Sequence, residues 1–264
     1  MTIGFIGFGN MAQAIAKGLL EKQLVKPQEL MFSNRSEEKR QQLIKSFAVS
    51  GTSSNQTVWD ESDILILAVK PYQIDEVLSG LDKTKHPFVI SVAAGVTNAQ
   101  LALHLKESSF LRTMPNLNSQ VGEGMTAIVE NDQVEQKDLD RTKEIFVAVG
   151  EVVELPESQL SAFIALAGSS PALIFMFIDT LARAGVKYGL PKDKATKIAA
   201  QAVLGSGRTV LETDQDPWTL IDQVSSPGGV TVEGILSLLK GDFAASIIES
   251  VDAMVDKNDD MSKG

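Results

Sequence analysis

Two glycine-rich stretches carry residue types and spacings that could do chemistry. The first is Gly7-Phe8-Gly9-Asn10-Met11-Ala12, which follows the apolar run Ile3-Gly4-Phe5-Ile6. Behind it Met11, Ile15 and Leu19, with Ala12 and Ala16, recur at helical spacing. Strand, tight turn and helix form the setting in which G-x-G-x-x-G/A binds a dinucleotide. Gly7 makes the turn, Gly9 lets a pyrophosphate approach the backbone, and Ala12 packs helix on strand. The helix N-terminus offers free N–H groups and a positive dipole end to the phosphates. The second stretch is Ser225-Ser226-Pro227-Gly228-Gly229-Val230-Thr231, ahead of an apolar helix expected over Val232–Leu239. Ser226 and Pro227 read as its N-cap and first residue. Two glycines in a first helical turn cost roughly 1 kcal/mol each relative to alanine, so a bare backbone should serve something there. The amides of Gly228, Gly229, Val230 and Thr231 are expected to face a small anion such as a carboxylate, with the Thr231 hydroxyl beside it. A capped helix start with no ligand is the ordinary alternative, and these residues alone leave it open.

The elements that must position these turns alternate through the first half. Strands are expected at Glu29–Ser33, Asp63–Ala68, Phe88–Val92, Phe110–Thr113, Met125–Val129 and Glu151–Glu154. Asp63–Ala68 is almost continuously apolar, as in a parallel strand buried on both faces. Helices are expected at Ser36–Phe47, from Ile74, at Ala99–Leu105 and at Val134–Val149. This alternation predicts a doubly wound α/β Rossmann domain over residues 1–155. Past Pro156 no convincing strand follows, and Gln159–Ala167, Ala172–Tyr188 and Lys192–Leu211 read as long helices. Residues 156–264 are therefore expected to form an all-α domain. The segment from Pro171 to Gly189 is apolar on most faces, which points to burial by a partner subunit. The polar tail from Asp256 is expected to fray.

The second strand ends in Ser33-Asn34-Arg35-Ser36, where an NAD site would place an acid. A cation flanked by hydroxyl and amide groups suits a 2′-phosphate, so NADPH is expected, with NADH as an alternative. The formal net charge of −10, without a dense basic run, argues against a nucleic-acid partner. The chain has no cysteine, which excludes disulfides, thiolate metal sites and cysteine nucleophiles. His86 and His104 fit no metal-ligand spacing, so no metal is expected. No apolar run is expected to reach the roughly 18 residues of a membrane span. The opening strand predicts no signal peptide, and the protein is expected to be cytoplasmic.

Taken in order, Gly4–Ala12, Ala68-Val69-Lys70-Pro71, Ser91–Gly95, Arg112-Thr113-Met114-Pro115-Asn116, Gly185–Pro191 and Gln223–Thr231 resemble the pyrroline-5-carboxylate reductase family over essentially the whole chain. The Ser-Ser-Pro-Gly-Gly-x-Thr block is the most specific mark. The resemblance implies an NAD(P)H-dependent reductase of a cyclic imine, forming proline. It also implies a helical domain interlocked with that of a second subunit, in dimers or rings of dimers. Cofactor contacts carried over are Phe5, Ile6, Gly7, Phe8, Gly9, Asn10 and Met11, then Ser33, Asn34, Arg35 and Asn55, then Ala68, Val69, Lys70, Pro71 and Ala94. Gln223 is expected on the nicotinamide side. Substrate contacts fall on Gly228, Gly229, Val230 and Thr231, with Glu157 a further candidate. Thr231 is expected to act catalytically by hydrogen-bonding the ring nitrogen.

Ser170, Leu173, Arg183 and Leu117 depart from residues common in the family, at positions bearing on the subunit interface and the pocket wall. Two rival readings stay open at this point. One is an NADPH-dependent reductase of another imine or of a small hydroxy acid. The other is a non-catalytic NADPH-binding paralogue.

Overall fold

The structure, a computed structural model, describes residues 1–263. By its internal contacts the chain divides into two compact units, Met1–Gly168 together with Lys257–Gly264, and Ser169–Asp256.

The first unit is built on one sheet. Its strands are β1 (Ile3–Ile6), β2 (Leu30–Ser33), β3 (Ser50–Thr52), β4 (Ile64–Leu67), β5 (Phe88–Ser91), β6 (Phe110–Met114), β7 (Gly124–Val129) and β8 (Gly150–Leu155). They lie in the order β3-β2-β1-β4-β5-β6-β7-β8. All neighbours run parallel except β6 and β7, which pair antiparallel. The helices are α1 (Asn10–Glu21), α2 (Glu37–Phe47), α3 (Asn55–Glu61), α4 (Ile74–Ser79), α5 (Asn98–His104), α6 (Gln136–Val147) and α7 (Leu160–Phe163). Strand side chains alternate between two cores. Ile3, Phe5, Ile64 and Ile66 join Ile15, Leu19 and Phe32 on one face. Ile6, Leu65 and Leu67 join Trp59, Ile74 and Leu78 on the other. A sheet buried on both faces needs apolar residues at every strand position, which is why these strands read as unbroken runs. The expected doubly wound domain is therefore present.

Two elements of this unit were not expected from the pattern. Strand β3 is Ser50-Gly51-Thr52, too short and polar to show a period, and its backbone pairing with β2 forms it. Helix α3 has seven residues and is started by Ser54, whose Oγ accepts from the Thr57 N–H.

The second unit contains α8 (Ser170–Lys187), α9 (Lys192–Glu212), α10 (Pro217–Gln223), α11 (Val230–Lys240) and α12, which spans Phe243–Lys263 and passes into the first unit at Lys257. Among its described residues only Pro171, Ala182, Ala195 and Ala199 are buried. Phe175, Met176, Ile198, Leu204 and Ile248 are exposed.

Three expectations are corrected here. The helix expected to end at Ala167 continues instead. Helix α7 passes through a π-helical stretch, Ile164–Ser169, into α8. Pro171 stands at the start of α8 inside this run, and the Ala167 carbonyl, four residues before it, accepts from Asn116 Nδ2 at 2.9 Å instead of from a helical N–H. The continuous run Glu157–Lys187 is in consequence long and apolar enough, by length and composition, to cross a membrane. The tail does not fray at Asp256, because α12 carries on to Lys263 and Asp259 and Asn258 both engage the Ser161 hydroxyl.

Candidate functional site

The strand order reverses between β1 and β4, and the carboxyl ends of β1, β2, β4 and β5 open into one crevice. Each end carries one of the expected dinucleotide segments. Gly7 has φ +86°, and a Cβ there would lie 2.8 Å from Val69 Cγ1 and 2.9 Å from the Ala68 carbonyl oxygen. The glycine turn after β1 and the Ala68–Pro71 segment after β4 therefore touch, and only glycine permits it. Gly9 is the N-cap of α1 and makes no side-chain cap bond, and a Cβ there would meet nothing within 4 Å. The first residues of α1 border this open side, Asn10 exposed and Met11 half-buried, and their amides have no helical acceptor, as an anion site requires. Phe5 and Ile6 are buried, and the Phe8 ring stacks on Phe32 with centroids 4.4 Å apart. The side chains of these three are closed to a cofactor.

At the end of β2 the Ser33 hydroxyl is buried and has no hydrogen-bond partner among the described residues. Asn34 Oδ1 accepts from the Ser36 N–H at 3.1 Å, shaping the turn that presents Arg35. Arg35 Nη2 lies 3.0 Å from Glu76 Oε1 on α4. This acid was missed because it comes from the helix after β4 and not from the tip of β2, where the sequence pattern directs attention. Asn55 opens α3 beside this tip. Lys70 and Pro71 are exposed after β4, as is Ala94 after β5.

Glu157 also lies in the first unit. Its Oε1 accepts from the Asn98 N–H at 2.9 Å and from the Arg112 guanidinium, beside a cavity of about 260 Å³ that Thr97, Ser161 and Asp259 also line. Burial pushes the Arg112 pKa down, and the Glu157 carboxylate opposes that shift. Arg112 is the other residue that went unassigned, although a lone cation inside an apolar strand is its signal. His86 Nε2 lies 3.4 Å from Glu107 Oε2, and His104 Nε2 lies 2.9 Å from Asp75 Oδ1.

In the second unit the expected anion turn differs in detail from the sequence reading. Helix α11 begins at Val230 with Gly229 as N-cap, so Ser226 is not the cap and Pro227 is not its first residue. Ser226–Gly229 is instead a β-turn, closed by the Gly229 N–H donating to the Ser226 carbonyl at 2.9 Å. Proline at its second position and glycine at its third, with φ +69°, is the type II residue pattern. A Cβ on Gly229 would lie 2.6 Å from Ser226 Oγ and 2.8 Å from its carbonyl oxygen. Both glycines are thus explained by the turn, and the Gly229 amide is already engaged. Val230, Thr231 and Val232 supply the first amides of α11, which has no side-chain cap. Val230 is 91% exposed and Thr231 half-buried at this open helix start. Ser225 Oγ is buried without a partner among the described residues. Gln223 closes α10, and its Nε2 donates to Gln215 Oε1 at 2.7 Å.

The departing residues are spread across both units. Ser170 and Leu173 stand in the first turn of α8. Arg183 pairs with Asp179, whose other oxygen takes Lys192. Leu117 is half-exposed in a 3₁₀ turn after β6.

Comparison with known proteins places both units. Residues 157–261 match the family model for pyrroline-5-carboxylate reductase dimerisation. Residues 2–95 match that for NADP oxidoreductase, coenzyme F420-dependent. The chain is 38% identical to a pyrroline-5-carboxylate reductase of Synechocystis, covering 100% of this chain and 99% of that protein. It is 39% identical to one from Escherichia coli, over 99% of this chain and 98% of the other. Among solved structures, a pyrroline-5-carboxylate reductase from Coxiella burnetii superposes with a TM-score of 0.92 at 35% identity, covering 100% of this chain and 99% of that one. The Plasmodium falciparum enzyme, solved with NADP bound, gives 0.84 at 29% identity, over 99% and 98% of the two chains.

Proposed function

The chain belongs to the pyrroline-5-carboxylate reductase family, and on that premise we propose which of its residues carry out each part of the reaction. It is an NAD(P)H-dependent oxidoreductase that acts on a C–N bond and reduces 1-pyrroline-5-carboxylate to proline, and it works as a homo-oligomer.

The dinucleotide fits the crevice on three observations: the uncapped start of α1, the open space over Gly9, and the orphaned Ser33 hydroxyl. Bound NADPH supplies the hydride. Gly7, Phe8, Gly9, Asn10 and Met11 would hold the pyrophosphate through backbone amides, beside Phe5 and Ile6. Ser33, Asn34, Arg35 and Asn55 would take the adenosine ribose and its 2′-phosphate. Ala68–Pro71 and Ala94 would line the path towards the nicotinamide, and Gln223 is the second unit's own candidate for a nicotinamide contact.

The observation that carries the substrate assignment is the exposed, uncapped start of α11 behind the Ser226–Gly229 turn. The Val230 and Thr231 amides would hold the substrate carboxylate, joined by that of Gly228, while bare Gly229 keeps the turn close. Protonated, the imine is already a strong hydride acceptor, so positioning is the main demand on the protein. The Thr231 hydroxyl, which can donate or accept, would hold the ring nitrogen and fix the ring's orientation. Glu157 stays a substrate-side candidate, held in one orientation by Arg112 and Asn98.

We take residues 156–264 as the dimerisation and substrate domain and 1–155 as the cofactor domain. The exposed apolar side chains of α8 and α9 support an interlocked dimer, and a ring of dimers is the larger assembly that the resemblance implies. Asp179 and Arg183 interrupt the apolar run Glu157–Lys187, which favours a protein partner over lipid. A cytoplasmic location and the absence of a nucleic-acid partner agree with a cysteine-free chain of net charge −10. The test is NADPH oxidation by the purified protein with pyrroline-5-carboxylate, with the product identified. L-proline is expected; binding of NADPH without turnover would overturn the assignment.

A further inference from the structure

We propose that Glu76 is a specificity-determining residue that limits the preference for NADPH by competing with the cofactor's 2′-phosphate for Arg35. The proposal rests on the reading of Arg35 as the 2′-phosphate partner.

The two residues come from opposite sides of β1. Arg35 follows β2 and Glu76 stands in the first turn of α4, after β4. Their contact, Nη2 to Oε1 at 3.0 Å, therefore bridges the point where the strand order reverses. Both side chains are about two-thirds exposed, at 69% and 68%. The neighbouring carboxylate, Asp75, meets His104 Nε2 at 2.9 Å, which leaves Glu76 as the acid of that turn for Arg35.

An acid at this place is the residue type that suits NAD, because it accepts from a ribose 2′-hydroxyl and repels a phosphate. Here the sequence position that normally holds the acid carries Arg35, while α4 returns a carboxylate to the same spot. A 2′-phosphate must draw Arg35 away from Glu76 and then sit near a like charge. Exposed ion pairs are weak, so the exchange can occur, but it reduces the gain that Arg35 offers. NADH has no 2′-phosphate and meets no such penalty.

The test is the dissociation constant of NADPH and of NADH for the wild type, Glu76→Gln, Glu76→Lys and Arg35→Gln, at low and high salt. Glu76→Gln is expected to tighten NADPH about fivefold, the size of one exposed pair, and Glu76→Lys to tighten it further. NADH affinity should move by less than twofold. The gain should shrink at high salt, as screening removes it. If Arg35→Gln weakens NADPH but neither Glu76 variant changes the NADPH-to-NADH ratio, Glu76 has no such role. If Arg35→Gln leaves that ratio alone, the reading of Arg35 itself fails and this proposal falls with it.

Discussion

The guanidinium of Arg112, 6% exposed in β6, donates to the same Glu157 oxygen that accepts the Asn98 N–H. One carboxylate thus ties β6, α5 and the segment after β8 together. Removing it strands a buried cation. Glu157→Ala is expected to lower the unfolding free energy by about 3 kcal/mol. Glu157→Gln should cost less, because its amide oxygen still accepts. Urea unfolding reads both, and an unchanged midpoint in Glu157→Ala would show that the pair does not hold the unit together.

Thr231 is expected to matter to turnover and not to cofactor affinity. Losing one hydrogen bond to a charged ring nitrogen is worth about 1.5–3 kcal/mol, so Thr231→Ala should lower kcat/KM roughly 10–100-fold. Fluorescence titration should find its NADPH affinity within twofold of wild type. Wild-type kinetics in the variant would remove Thr231 from the site.

The glycine turn before α11 offers a sharper contrast. Gly228→Ala forces an L-residue to φ +69°, at a cost of about 1 kcal/mol, and leaves open space around the new methyl. Gly229→Ala drives its Cβ against the Ser226 carbonyl, so the backbone must move. The KM for the imine is expected to rise more in Gly229→Ala than in Gly228→Ala, with the Kd for NADPH constant in both. Equal KM values would show that turn position does not control the anion site.

An apolar helix face left exposed on one chain calls for a second. Phe175 and Met176 on α8 are 54% and 68% exposed. Phe175→Asp places a charge in the expected interface, and light scattering after size exclusion should find a shift to monomer with a loss of thermal stability. An intact oligomer would move the interface elsewhere.

Acid stability should depend on two exposed aspartates. Lys192, and then Arg183, hold the Asp179 carboxyl below its ordinary pKa. Asp216 is lowered by the Thr219 hydroxyl and then by backbone N–H groups at the start of α10. A carboxyl with a depressed folded pKa contributes fully above its unfolded value and loses that contribution as pH falls through the folded one. Stability should therefore be flat with respect to these groups from pH 7 to about 5 and fall below about 4, near the ordinary aspartate pKa. Asp179→Asn and Asp216→Asn should each flatten that acid decline in urea titrations. A decline as steep as wild type would assign it to other groups.

Most of the cofactor half was legible in the chain itself. Buried parallel strands must be apolar throughout, so Ile64–Leu67 and Phe88–Ser91 announced themselves. The turn at Gly7 did so too, because its backbone geometry admits few other residues. Strand β3 was invisible for the opposite reason: Ser50-Gly51-Thr52 is a strand only because β2 lies alongside it. The Ser226–Gly229 segment shows the limit within one motif. Its residues marked a site, but whether Pro227 opens a helix or a turn depends on φ at Gly228, which composition does not encode. Glu76 as the partner of Arg35, and Arg112 as the partner of Glu157, lay further out of reach, since the members of these pairs stand 41 and 45 residues apart in the chain. Local periodicity reports the face a residue turns to the core. Only the folded sheet decides which charges meet at its edge, because strand order, and not chain order, sets those distances.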